Sequence, residues 1–354
     1  MSKQTPLEAG FKMPAEWEKH RATWIGWCHN KNDFPGKIAP IHWVYGEITR
    51  KLAESETVCI LVQDGKHEAK ARSVLMKVGI DFQKIEFYQI PHNRGWMRDS
   101  GPMFVRNKAE NETAVVKFKF NAWAKYKDWK LDNKVALEFA KRTKRKVFEV
   151  NFKGEEVVLE GGAIDVNGAG TLLSTEECLL DTQVQTRNPN LSKIEIEKVL
   201  DENLGASNVL WLNKGIVGDD THGHIDDFCR FVNKNTVVLA EEKNPNDANH
   251  KILEENRERV EGFKLETGEN IEIIRLPMPA PLVFSGQRLP ASYANFYIAN
   301  KSVLVPTFND ENDRIALGIL AELFPGRKIV GIHAVDLVWG LGTLHCLTQQ
   351  EPFA

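Results

Sequence analysis

The feature that most constrains the fold is an order of elements that recurs along the chain without repeating its letters. Four times a short β-rich run, a polar turn and a second run follow one another. These are Met103–Val105 with Ala114–Phe118, Ala163–Val166 with Thr171–Ser174, Cys229–Val232 with Thr236–Leu239, and Phe296–Ala299 with Ser302–Val305. Asn, Gly and Lys in the intervening turns are hairpin signals. Apolar residues at helical spacing come next, over Val135–Arg142, Leu191–Leu204 (Ser192 its cap), Ala248–Val260 and Arg314–Phe324. A further apolar run closes each unit: Lys146–Val150, Asn208–Leu212, Ile271–Leu276 and Lys328–Ile332. The unit therefore reads ββαβ. Two more helical patterns, Val44–Glu54 and His67–Val78, belong to the N-terminal region.

Where one unit passes into the next stand Asp99, Glu160, His224, Asn295 and Cys346, at intervals of 61, 64, 71 and 51 residues. Five units in 354 residues would each take about 71. Radial repetition of small sheets removes exposed edges and would bring the five junctions together at the centre. The expected fold is an α/β five-bladed propeller with pseudo-fivefold ββαβ symmetry, in a single domain over residues 1–354, since no Gly/Ser linker or charge block divides the chain. An open α/β sheet carrying unrelated hairpins is the alternative.

The other sequence features narrow the partners. With 46 basic and 49 acidic residues the net charge is −3, leaving no basic excess for a phosphate backbone. Residues 1–20 contain charges and no apolar run, so no secretory or transit leader is expected. The most apolar stretch, Ile329–Leu344, is interrupted by His333 and Asp336 and is too short to span a bilayer. A cytoplasmic protein binding neither nucleic acid nor membrane is expected. Its five scattered cysteines, without a C-x-x-C pair, are expected to be reduced thiols.

Chemistry concentrates at the junctions. Cys346 follows the glycine-containing Gly340-Leu-Gly-Thr343 and is expected in a short strand, where the polar Thr348, Gln349 and Gln350 suggest a lined cavity. Gly218–Asp227 holds two histidines and four carboxylates, and His222, His224 and Asp226 would share one face of an extended segment. Two readings stand: a metal site for a metal-dependent hydrolase, or His224 as acid/base for a Cys346 nucleophile with Asp226 binding substrate. Asp99 lies in Asn93–Pro102 and Glu160 in Val158-Leu-Glu-Gly-Gly162. Three junction carboxylates with one His and one Cys form an anionic pocket for a planar cation beside a thiol. A guanidinium fits that pocket, because its rigid fork of N–H donors can be gripped by two carboxylates. Its central carbon is then open to attack by sulfur, with no metal or organic cofactor needed. Trp96 is expected at the pocket; the other early tryptophans, Trp123 among them, read as packing residues.

Several motifs together resemble the guanidine-modifying family of agmatine, arginine and peptidyl-arginine deiminases, most closely its agmatine branch. They are Met13-Pro-Ala-Glu-Trp-Glu, Trp96-Met-Arg-Asp-Ser-Gly-Pro, Asn121-Ala-Trp, Leu159-Glu-Gly-Gly, Thr175-Glu-Glu-Cys-Leu-Leu, Gly223-His-Ile-Asp-Asp, Ala291–Asn300 and His345-Cys-Leu-Thr-Gln-Gln. The resemblance implies a five-bladed ββαβ propeller and cofactor-free hydrolysis of agmatine to N-carbamoylputrescine and ammonia, a step towards putrescine. It implies Cys346 as nucleophile, His224 as acid/base, Asp99 and Asp226 as guanidinium ligands, Glu160 as the group orienting the imidazole, Trp96 as a channel wall, and often a homodimer. Asp220, four residues before His224, is the candidate for the distal amine. The chain departs from the family pattern at His222, at Gly340–Thr343 and at Trp27-Cys28; the first two touch the pocket and leave arginine or peptidyl-arginine open as substrates.

Overall fold

The computed structural model describes residues 4–354; residues 1–3 of the predicted domain lie outside that range. Four three-stranded sheets share one order. In each, an antiparallel hairpin is extended by a parallel third strand reached through a helix. The strands are Met103–Asn107, Glu112–Lys117 and Val147–Glu149; Asp165–Val166, Thr171–Thr175 and Asn208–Leu212; Cys229–Phe231, Thr236–Glu241 and Glu272–Pro277; and Tyr297–Ile298, Ser302–Thr307 and Lys328–His333. The crossover helices are Val135–Thr143, Lys193–Leu204, Ala248–Glu261 and Glu311–Leu323. All four units read from the sequence are therefore present, with element ends shifted by a few residues.

A further sheet joins the two ends of the chain. Thr348–Pro352 pairs antiparallel with His20–Gly26, which pairs in parallel with Thr57–Val62, and Ile85–Gln89 completes the sheet. Helices Ile38–Ala53 and Gly65–Lys77 make its crossovers. The first helix starts at Ile38, ahead of the predicted Val44, and runs through Pro40, because proline is tolerated in a first turn where no intrahelical N–H bond is lost. Similarly, Asp310 caps the helix at Glu311 through a capping box with Asp313, ahead of the predicted Arg314. Two small hairpins, Asn151–Phe152 with Glu155–Glu156 and Val283–Phe284 with Gln287–Arg288, complete the strands. Helices bury their apolar stripes on these sheets, as Ala316 and Leu320 do with Leu304 and Val305 in one core cluster. That burial is worth about 25 cal/mol per Å² of apolar surface removed from water.

Short helical turns, Met97–Ser100, Gly161–Ala163, Ile225–Asp227 and Leu344–Leu347, each precede an edge strand of a sheet, four sheets in all. The first turn packs against both Leu344–Leu347 and Gly161–Ala163, and the latter packs against Ile225–Asp227. The predicted strand at Cys346 is thus corrected: the residue sits in a helical turn, as Asp99 does in its own, with Glu160 and His224 immediately before theirs. Thr348, Gln349 and Gln350 do not line a cavity. The Thr348 hydroxyl donates to Leu344 and His345 carbonyls, the Gln349 side-chain nitrogen donates to Pro102 O, and Gln350 accepts from Arg98, so all three side chains make internal hydrogen bonds, Gln349 Oε1 remaining buried without a partner. Among the described residues no helix is long and apolar enough to cross a membrane.

Candidate active site

Where the turns meet, six side chains converge. Cys346 Sγ lies 3.8 Å from Asp226 Oδ2 and 3.1 Å from the Asn295 amide nitrogen. His224 Nδ1 is 3.8 Å from Asp99 Oδ1 and 4.0 Å from Asp226 Oδ1, and its Nε2 is 3.9 Å from Glu160 Oε2. All are buried, Cys346 retaining 7% exposure at the base of a cleft of about 210 Å³. Neither His224 ring nitrogen nor Asp226 Oδ1 has a hydrogen-bond partner. Buried polar groups left unpaired cost free energy, so these atoms are arranged for something that binds there.

Two glycines hold the space open. A Cβ on Gly162 would fall 2.5 Å from the unpaired His224 Nδ1, 2.9 Å from Asp99 Oδ1 and 3.1 Å from Asp226 Oδ2, between the three side chains. One on Gly342 would lie 3.1 Å from Cys346 Sγ and 3.0 Å from Trp96. Any larger residue at either position fills the place where a ligand would meet the sulfur.

The surroundings aim each group. Asp99 Oδ2 accepts from the Trp123 indole N–H (2.9 Å) and its Oδ1 from the Gly162 amide (2.9 Å). Glu160 is held by Arg187 Nε at 3.2 Å, and Arg187 also donates to the Gln185 and Thr221 carbonyls. Asn295 donates to Asp227 (2.9 Å) and accepts from Thr343 Oγ1 (2.8 Å) and the His345 amide (3.0 Å), tying the sulfur's turn to its neighbours.

Charge follows from burial and neighbours. Burial, then Asp226, Asp227 and Asp99, push the Cys346 thiol well above its ordinary pKa, so without a cation beside it the sulfur stays protonated. Burial raises Asp99 to about 6, with Asp226 and Glu160 adding to the rise and His224 opposing it. Burial alone would discharge His224, but Asp99 and the other acceptors around the ring, Glu160 among them, raise its pKa well above the ordinary histidine value. Burial works against Glu160 too, yet Arg187 keeps its carboxyl below the usual range. The site thus has anionic oxygens, a protonated imidazole and a protonated sulfur, a balance that favours one more cation.

Trp96 lines the cleft beside Cys346, its ring 5.7 Å from that of Phe34. Asp220 lines the mouth, with its oxygens already taken by Lys125 and by Tyr126 Oη at 2.6 Å. His222 is not brought to the centre. Positive φ values at His222 (67°) and Gly223 (93°) turn the chain, and His222 Nε2 instead meets Asp181 at 2.8 Å. The expected shared face of His222, His224 and Asp226, and the three-ligand metal site built on it, are therefore corrected: the segment is not extended. Trp123, read as a packing residue, donates to Asp99. Arg187, Glu16 and His345 were missed at the site; an ion pair between residues far apart leaves no local pattern to read. For Trp123 the Asn121-Ala-Trp motif was the available signal.

The model of the Porphyromonas-type peptidyl-arginine deiminase family matches residues 12–352, and the chain belongs to that family. Its relatives are more specific. An agmatine deiminase of Ectopseudomonas mendocina is 34% identical over 98% of this chain and 97% of its own length. The structure of the Enterococcus faecalis agmatine deiminase superposes with a TM-score of 0.91 at 30% identity, covering 100% of this chain and 99% of that one. A cysteine-to-serine variant of the C. jejuni agmatine deiminase with substrate bound gives 0.85 at 28%, covering 97% and 96%.

Proposed function

We propose that the protein deiminates agmatine hydrolytically, giving N-carbamoylputrescine and ammonia, a step towards putrescine. The observation that carries this reading is the ring of unpaired buried atoms, His224 Nδ1 and Asp226 Oδ1 with Asp99 beside them, around a space only glycine leaves open next to Cys346 Sγ. Agmatine deiminases of matching length and fold support the choice of substrate. The five sheets of like order support a ring of five units around a pseudo-fivefold axis, in one domain.

Asp99 and Asp226 grip the guanidinium, and its positive charge offsets the carboxylates that hold Cys346 protonated, so the thiolate forms with substrate bound. Sulfur adds to the central carbon. His224, kept in orientation by Glu160, gives a proton to the departing nitrogen, and the carbon–nitrogen bond breaks to release ammonia and leave a thiouronium on Cys346. The now neutral imidazole takes a proton from water as the water's oxygen bonds to that carbon. The carbon–sulfur bond then breaks as the added hydroxyl gives up its proton to the departing sulfur, giving the ureido product, and the proton that Cys346 first lost to solvent is taken up by the released ammonia. No cofactor or metal enters these steps. Trp96 walls the alkyl chain, and Asp220 at the mouth faces the distal amine. The mouth holds Asp33 and Asp220 against Arg94 and Lys125, and both cations are already paired, so neither is free for the carboxylate that arginine would bring. A small cationic substrate and the absence of a basic excess fit a cytoplasmic enzyme, as a monomer or homodimer.

The test offers agmatine, arginine and a peptidyl-arginine in parallel and measures ammonia and ureido product, with and without chelator. Turnover of agmatine alone, unaffected by chelator and abolished by thiol alkylation, is expected. Turnover only of arginine or the peptide would overturn the substrate, and loss of activity on chelation would overturn the thiol route.

A further inference from the structure

Behind the ring of site atoms runs a second chain of ion-paired groups that the reaction steps do not use. Asp226 Oδ2 meets His345 Nδ1 at 2.7 Å, and His345 Nε2 meets Glu16 Oε2 at 2.8 Å. Glu16 Oε2 is also 3.1 Å from both Arg98 and Arg230, and its Oε1 accepts from the Ile298 amide at 2.8 Å. Arg230 in turn lies 3.3 Å from Asp165. His345, Asp226, Glu16, Arg98 and Arg230 are all at least nine-tenths buried.

We infer that His345 is the positioning residue of the site: clamped between Asp226 and Glu16, it fixes one oxygen of Asp226, leaves the other free for the guanidinium, and holds that carboxylate ionised. The reasoning is geometric. A carboxylate with both oxygens free can rotate or take a proton when buried among others; Asp226 has Asp99, Asp227 and Cys346 near it on the ligand side, opposed there by His224 at 4.0 Å from its Oδ1, and Arg230 and His345 near it behind. The His345 ring nitrogen facing Asp226 Oδ2 hydrogen-bonds that carboxylate from behind, and a hydrogen bond donated to the charged form favours it. Glu16, neutralised by two arginines, provides the other end of the clamp. The direction of the Asp226 pKa, lowered by His345 against the effect of burial, agrees. The inference rests on the guanidine-binding reading of the site but not on agmatine as the substrate.

The experiment uses methylguanidinium, which carries the head group without a tail. Its binding to the full chain carrying Cys346→Ser, where no chemistry occurs, is measured by calorimetry between pH 5 and 8, adding His345→Asn or Glu16→Gln. Because Asp226 is an acid with a depressed pKa, losing the clamp raises that pKa and moves the acidic fall of affinity to higher pH. His345→Asn should weaken binding at least tenfold at pH 6 and less at pH 8. Glu16→Gln, which keeps the side-chain shape and removes only its charge, should shift the profile the same way by a smaller amount. The effects of the double variant should not multiply, since Glu16 acts through His345. Glu16→Gln also serves if the His345 variant does not fold. Folded variants that bind with the parent's affinity and pH profile would overturn the inference, as would a uniform loss at all pH values. Binding of methylguanidinium with these shifts, while agmatine is not turned over, would sink the substrate and leave the clamp standing.

Discussion

The floor of the cleft and its mouth treat charge in opposite ways. At the floor, Asp226 keeps an unpartnered oxygen and His224 two unpartnered nitrogens. At the mouth Asp220 is answered by Lys125 and Tyr126, and Asp33 by Arg94, which also meets Asp128 at 3.0 Å and stacks over Tyr126 at 4.3 Å. The floor is built on turns that join the sheets; the mouth is built from side chains on the loops around it. On the proposed reading, unmet charge marks the place of the chemistry and met charge the place where substrates are sorted.

That division can be broken at either end. Cys346→Ala should lower kcat on the order of 10⁵-fold, since it removes the attacking atom, while agmatine binding measured by calorimetry persists; residual turnover near the parent rate would remove the thiol from the floor's chemistry. His224→Asn should cost about 10²–10⁴-fold in kcat, with steady-state ammonia release as the readout. Arg187→Met leaves Glu160 charged and without its arginine, where both side chains have 0% exposure, and denaturant titration should show a loss of about 3–5 kcal/mol. An unchanged midpoint would mean that the floor tolerates an unpaired charge after all.

Smaller effects sharpen the contrast. Asp99 must be ionised to grip a cation, and its pKa is raised to about 6. Affinity for guanidine compounds should therefore be present above that pH and fall as pH drops through it, by up to about tenfold per unit; a flat profile down to pH 5 would contradict this assignment. At the mouth, Lys125→Met frees a partly exposed carboxylate facing the tail, and KM for agmatine should drop by roughly two- to fivefold with kcat unchanged. A change in kcat instead would erase the distinction between the two regions.

Much of the floor was legible in the sequence because hairpins and crossover helices are local patterns, and Asp99, Glu160, His224 and Cys346 recur at the ends of those patterns. What was not legible is long-range or hinges on one backbone angle. His222 and His224 are next-nearest neighbours in the chain, yet only His224 reaches the centre: the left-handed φ at His222 sends its ring to Asp181, whereas alternation assumed an extended chain. The strand expected at Cys346 gave way to a turn packed on Met97–Ser100, so tertiary contact overrode local preference. Gln349 and Gln350 looked like cavity residues because their partners, Pro102 and Arg98, are 247 and 252 residues away.

The pairing of His20–Gly26 with Thr348–Pro352 sets a condition on how the molecule is made. Trp24 and Glu351, bonded at 2.9 Å, are 327 positions apart, so the first strand leaves the ribosome long before its antiparallel neighbour. Until then one edge of that strand lacks its partner, and Cys346, in the turn just before the closing strand, has no finished wall behind it. Contacts of such separation form late and slowly, so the reactive sulfur should be assembled only once nearly all the remaining sheets already stand.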